Sequence, residues 1–156
     1  MTVAGPMLAL DSSTAAGSVA VAVEGRVVAE RVLPATAGAS SLLMPAVDEA
    51  VRAAGLRPRD LAAVVAAGGP GSFTGLRIAA ATAKAIVRAL GVPLYACSGL
   101  LATAAAHRRE GRAVCALFDA RNREVFAGCR VAAPAGWEPE YLRASGAERI
   151  AAARVG

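Results

Sequence analysis

The chain of 156 residues is poor in the residue types from which most active sites are built. It has one histidine, three cysteines and one lysine among 17 basic residues, and aromatics make up 4% of it. A zinc site needs several His, Cys or carboxylate ligands converging, and His107 alone cannot supply a two-histidine motif. A Ser–His hydrolase would have to use the same His107, and no G-x-S-x-G nucleophile elbow is present, so peptidase activity is not expected. The cysteines, Cys97, Cys115 and Cys129, are odd in number and lack C-x-x-C spacing; they read as small core residues in a reducing cytoplasm. The scarcity of aromatics leaves little for base stacking, and the arginines are scattered. The net charge of +5 therefore reads as a solvated basic surface rather than a nucleic-acid face. No run of about 18 residues is apolar and free of breakers, so no membrane span is expected, and Met1–Pro6 lacks the charged and then apolar start of a signal peptide. With 56% hydrophobic residues inflated by alanine, the core has to be built from Val, Leu, Ile and Ala. The length suits one domain with a proper core.

What is present centres on Gly68–Leu90, GGPGSFTGLRIAAATAKAIVRAL. An apolar strand candidate, Leu61–Ala67, leads into a glycine turn, and from Thr74 the chain reads as a helix. Such a turn can present backbone N–H groups at a helix N-terminus. It matches neither standard nucleotide loop. A P-loop needs Lys-Ser/Thr where Leu76-Arg77 stand, and Gly69, Gly71 and Gly75 are one residue too long for the dinucleotide fingerprint. A tight structural turn is the plainer reading. In the helix, Leu76, Ala79, Ala83, Ile86 and Leu90 make an apolar stripe, with Arg77, Lys84 and Arg88 roughly opposite. Gly75, Ala79 and Ala83 recur every four residues and allow close approach to a sheet, a partner helix or both.

In chain order, Met7–Leu10 is a short strand ending at Asp11, and Val19–Val23 and Val27–Leu33 form a hairpin through Glu24-Gly25. Asp11–Thr14 reads as a side-chain-capped turn, with a degraded phosphate loop as the functional alternative. After the loop Pro34–Ala39, Ser40 and Ser41 are N-cap candidates for a helix to about Ala54. Pro45 should delay its regular ladder. Leu43, Val47, Ala50 and Ala54 form the inward stripe and leave Leu42 and Met44 to face elsewhere. Pro58–Asp60 turns into the Leu61–Ala67 strand. A strand at Leu94–Cys97 follows the central helix, and Ser98 caps a helix through about His107. Arg108–Arg112 reads as a linker. Ala113–Asp119, the turn Arg121–Arg123 and Glu124–Val131 then echo the first hairpin. Beyond Val131 the pattern dissolves, save for Tyr141-Leu142 and Ile150–Val155, which could make a short terminal helix.

The stretch GGPGSFTGLRIAAATAKAI closely resembles the signature of the bacterial TsaB (YeaZ) family. LALDSST (Leu8–Thr14), LLMPAVDEAV (Leu42–Val51), GLRPRDLAAV (Gly55–Val64), GVPLYACSGL (Gly91–Leu100) and ALFDARNREVFA (Ala116–Ala127) match in order and spacing, so the resemblance covers roughly Met7 to Val131. It implies an α/β, ribonuclease H-like fold of the actin-type ATPases. The first lobe (1–108) would be complete, with elements β-β-β-α-β-α-β-α, and the second (109–156) truncated. It also implies a non-catalytic subunit of the complex that places threonylcarbamoyl on adenosine 37 of tRNA. That subunit would act on a TsaD-type catalytic partner, with a TsaE-type ATPase, a homodimer in isolation and tRNA reached through the complex. A self-contained ATPase and a glycoprotease-like peptidase are the competing readings. Active relatives carry Asp, Gly and a hydroxyl residue at the first hairpin. Here Asp11, Ser12, Ser13 and Thr14 stand there, with Ser13 in the glycine's place, and Asp119 would be the paired second Asp. Family sequences often carry a His before the first helix, where this chain has Ala39-Ser40-Ser41. No metal, no catalytic residue and no cofactor are expected, beyond weak ATP or ADP contact at the complex interface. The partner face would comprise Leu42, Leu43, Met44, Arg77, Ala80, Ala81, Lys84, Ala85 and Arg88, beside the signature loop Gly69, Pro70, Gly71, Ser72, Phe73, Thr74 and Gly75.

Overall fold

The computed structural model describes residues 3–35, 39–107, 112–121 and 123–130. Residues 108–111 of the Arg108–Arg112 linker, the turn residue Asn122 and the proposed terminal helix lie outside the described residues. The elements run β1 (Met7–Asp11), β2 (Ser18–Val23), β3 (Arg26–Val32), α1 (Ala39–Ala53), a 3-10 turn (Pro58–Asp60), β4 (Ala63–Ala67), α2 (Phe73–Leu90), β5 (Leu94–Cys97), α3 (Gly99–Ala106), β6 (Val114–Arg121) and β7 (Glu124–Arg130). This is the expected β-β-β-α-β-α-β-α order, followed by a hairpin.

The first compact unit runs to Ser98 and holds a sheet in the order β3-β2-β1-β4-β5. β1 pairs antiparallel with β2 across the turn 12–17, and β2 with β3 because Glu24 and Gly25, both at positive φ, close a hairpin too short for anything else. β1–β4 and β4–β5 pair parallel, as strands joined through helices do. The register places Leu8 opposite Val21 and Val64, and Leu10 opposite Val19 and Ala66, so the alternating large residues share one face. All six are buried. Fully burying one such Leu or Val contributes roughly 1.5–3 kcal/mol. Helix α1 covers this face with Leu43, Ala46, Val47, Ala50 and Val51, and the residues of α2 buried against it are Gly75, Ala79 and Ala83. This small stripe lets α2 lie close on the strands, while its Ile78, Ile86, Val87 and Leu90 pack partly buried against the same core.

Two expectations need correction. Helix α1 begins at Ala39 with Pro45 well inside it, rather than late. Proline removes one ladder bond, and the burial of Leu43, Ala46 and Val47 on either side outweighs that local loss. Leu43 is 1% exposed and cannot belong to a partner face, while Leu42 packs partly against the same core. α3 lies in the second compact unit, which begins at Gly99. Its buried Leu100 and Ala104 cluster with Ala116 of β6, flanked by Val114, Phe118 and Phe126.

In that second unit β6 and β7 form an antiparallel two-stranded ribbon. Here the reading of the cysteines as small core thiols fails. Cys115 and Cys129 are directly opposite in the ribbon's register, both are exposed, and they are joined by a disulfide. Only Cys97 is a free thiol.

Candidate functional site

The site that the sequence singles out is the signature loop between β4 and α2. Its geometry follows from what it packs against. Ser72 is the N-cap of α2, its hydroxyl accepting from Gly75 N at 3.2 Å. The Gly69–Pro70 peptide is cis. Ser72 N donates to Ser13 O at 2.6 Å and Leu76 N to Ser72 O at 2.8 Å. From the other side, Ser12 Oγ, 2% exposed in its residue, donates to Gly75 O at 2.7 Å. The turn after β1 is itself shaped by Asp11, whose carboxylate Oδ1 accepts from Ser13 N at 2.7 Å.

These bonds lock the Ser12–Ser13 backbone into the concave side of the glycine loop. A Cβ at Gly75 would overlap the Ser12 carbonyl oxygen, and one at Gly71 would overlap the Ser13 carbonyl oxygen and come within 2.7 Å of Ser13 Cβ. Glycine is therefore required at both positions by the chain's own close approach. A phosphate-binding loop also needs glycine, but there the vacated space and the free N–H groups receive the anion. Here two carbonyl oxygens fill that space, and the Ser72, Gly75 and Leu76 N–H groups already have acceptors. Ser13 Oγ is buried with no hydrogen-bond partner among the described residues. The residues in this turn do not fit a phosphate. Asp11 and Asp119 lie in different compact units, Asp119 opposite Val125 in the β6–β7 ribbon.

The outward side of α2 differs from its buried stripe. Arg77, Ala81, Lys84, Ala85 and Arg88 are exposed, and Ala80 is half-buried. The helix thus has small residues on two faces, one consumed by the sheet and one open. Phe73, 67% exposed, lies in the first turn beneath the Arg77 guanidinium, whose carbon is 4.0 Å from the ring centroid. Sequence reasoning missed this pair, although its i, i+4 spacing was a usable signal. On α1, Met44 is 50% exposed. It stands at the rim of an apolar groove of about 190 Å³, floored by Val47, Val51, Leu61, Ile86 and Leu90 between α1 and the end of α2. The only carboxylate lining the groove, Asp48, is paired with Arg52. Among the described residues no three His, Cys, Asp or Glu side chains gather as metal ligands, and no helix is long and apolar enough to cross a membrane.

Comparison with known proteins bears on this arrangement. Residues 29–133 match the family model described as TsaD, tRNA N6-adenosine threonylcarbamoyltransferase. The tRNA threonylcarbamoyladenosine biosynthesis protein TsaB of Bacillus subtilis is 35% identical over 122 residues, covering 78% of this chain and 53% of the relative. The Haemophilus influenzae protein of the same name is 34% identical over 122 residues, 77% of this chain and 51% of the relative. The solved structure of YeaZ from Pseudomonas aeruginosa superposes with a TM-score of 0.70 at 36% identity, over 80% of this chain and 58% of that one. The chain spans about half the length of the curated relatives it matches. The shared architecture is the α/β actin-type fold, and the turn that Ser12 and Ser13 close lies inside the matched region. On the family match, the identity over most of its length and the shared fold, the chain belongs to the TsaB (YeaZ) family, within the wider group that the threonylcarbamoyltransferase model describes.

Proposed function

We propose that this chain is a non-catalytic partner subunit in threonylcarbamoyl modification of adenosine 37 of tRNA, acting in the cytoplasm. It would scaffold or activate a TsaD-type catalytic subunit, with a TsaE-type ATPase in the same assembly. The observation that carries the reading is the closed signature turn. Its glycines admit the Ser12–Ser13 backbone in place of a phosphate, so the most family-specific stretch of the sequence serves the fold rather than nucleotide chemistry. The names of the relatives supply the pathway.

The docking face in this reading is the open side of α2 with Met44 of α1. Ala81 and Ala85 permit close approach of another helix, and Arg77, Lys84 and Arg88 favour an acidic counterpart. Leu43 is no part of it. In isolation the same face would serve a homodimer.

The test combines two titrations. Isothermal titration with MgATP should give no tight binding by this chain alone; tight binding would instead favour a self-contained ATPase. Titration with a purified TsaD-type subunit should give a complex that Ala81→Trp or Ala85→Trp weakens at least tenfold. Both positions are exposed, so the monomer should remain folded. Unchanged affinity in both variants would remove this face from the proposal.

A further inference from the structure

The β6–β7 ribbon holds a pair of sulfurs that the proposed function does not use. Cys115 and Cys129 are register partners, so strand pairing itself holds the two sulfurs within bonding reach of each other. Side chains alternate along the ribbon, which gives it two unlike faces. The inner face carries Ala116, Phe118 and Phe126 and belongs to the cluster with Leu100 and Ala104 of α3. The outer face carries the two cysteines with Leu117, 65% exposed, and Val125, 48% exposed. The disulfide therefore lies where solvent and small thiols reach it, and breaking it opens no hole in the core.

We propose that Cys115 and Cys129 are a reversible thiol–disulfide site whose state sets how firmly the β6–β7 ribbon is held. The co-reactant is a low-molecular-weight thiol. Its thiolate attacks one of the two sulfurs, the Cys115–Cys129 bond breaks, and the other cysteine leaves as a thiolate and takes up a proton. A second thiol attacks the resulting mixed disulfide, releasing the first cysteine and the small-molecule disulfide. The net change is two electrons and two protons to the protein for one oxidised small disulfide, and the same steps run backwards on oxidation. Exposed disulfides are the ones that exchange in this way, whereas buried ones persist.

Two further observations fit. The described core of this unit is small, its cluster formed by Leu100, Ala104 and Ala116 with Ala120 and Ala127 as the other buried apolar residues, so a cross-link over a 14-residue separation adds to what holds the strands. The remaining thiol, Cys97, is half-buried; burial, with a contribution from Asp11, pushes its pKa up and keeps it protonated and slow to react. Exchange is thereby confined to the exposed pair.

The experiment uses the full chain equilibrated with mixtures of reduced and oxidised glutathione, then acid-quenched, unfolded and labelled with a maleimide. Mass spectrometry should count one label, on Cys97, at the oxidised end and three at the reduced end, with a reversible transition between. Hydrogen exchange on the same samples should show β6–β7 amides exchanging roughly tenfold or more faster when reduced, with β1, β2 and β4 unchanged. Cys129→Ser should exchange at the reduced rate under every condition. Should that variant not fold, reduction of the unaltered chain still provides the reading. Three labels at every ratio, one label even in excess dithiothreitol, or exchange rates indifferent to reduction would each overturn the proposal.

Discussion

The five-stranded unit and the β6–β7 unit are held by different means. In the first, two antiparallel hairpin pairings and two parallel pairings line up Leu8, Leu10, Val19, Val21 and Val64, and two helices seal them. Fifteen buried apolar residues form that cluster, against three in the cluster of the second unit's described part, and only the second has a covalent cross-link. The lesson is one of scale. A sheet with one face under helices stabilises itself by burial, whereas a two-stranded ribbon is marginal in water unless something else ties it. Within the first unit the same economy recurs. α2 buries only Gly75, Ala79 and Ala83 fully, and beside its partly buried Ile78, Ile86, Val87 and Leu90 it is fixed by the close approach of these small residues and by hydrogen bonds from the Ser12–Ser13 turn.

The comparison can be broken most sharply at Gly75. Gly75→Ala puts a methyl group on the Ser12 carbonyl oxygen, and backbone on both sides must move. We expect a loss of roughly 3 kcal/mol or more, or failure to fold, as overpacking against backbone produces. Denaturant midpoints at unchanged slope are the check; an alanine variant as stable as the parent would show that the turn is not the lock described.

Leu8→Ala against Leu100→Ala sharpens the contrast between units. Both residues are 0% exposed. The first should lower global stability by about 3 kcal/mol, within the usual range for a core Leu. The second should chiefly accelerate hydrogen exchange in α3, β6 and β7 and leave the five-stranded sheet protected. Equal effects on both units would mean that they unfold as one.

Ser12→Ala removes the bond to Gly75 O without adding bulk, and should cost about 1–2 kcal/mol in thermal or urea unfolding. The smallest effect should come at the turn into β4. The Asp60 carboxylate accepts from Arg57 N at 2.8 Å and lies beside the Arg57 guanidinium, and these contacts lower its pKa from the ordinary 3.8. A lowered folded-state value contributes stability above about pH 3.8 that is lost as pH falls through the folded value. Asp60→Asn should therefore flatten the acid limb of the stability profile slightly and change little near neutrality. The carboxylate is solvent-accessible and its ion pair with Arg57 lies at the surface, so a shift comparable to that of Ser12→Ala would contradict this account.

Much of this molecule was legible residue by residue. Glu24-Gly25 declared a hairpin, Leu94–Cys97 was placed to the residue, and the central helix was read with its small-residue stripe at the right positions. The lone histidine and the missing lysine after Gly75 argue against a two-histidine metal motif and a P-loop. Local signals served least where a tertiary contact overrode them. Pro45 argued for a late helix start, but burial of residues on both sides carried the helix through it. Leu43 carried two assignments in the sequence reading, core and partner face, and only its packing among Ala46, Val47 and Ala50 decided between them.

The sequence by itself determined the periodicities, the turn chemistry and the need for glycine at the signature loop, because these depend on φ/ψ preferences and spacing within a few residues. What fills that glycine space was a tertiary decision: the partner of Gly75 is Ser12, 63 positions away, brought there by parallel pairing of β1 and β4. The pairing of Cys115 with Cys129 was decided in the same way, since strand register places them opposite each other and no spacing rule announces it. Both contacts form only where the backbone has already brought distant residues together, and so neither can be read from the neighbours of the residues that make it.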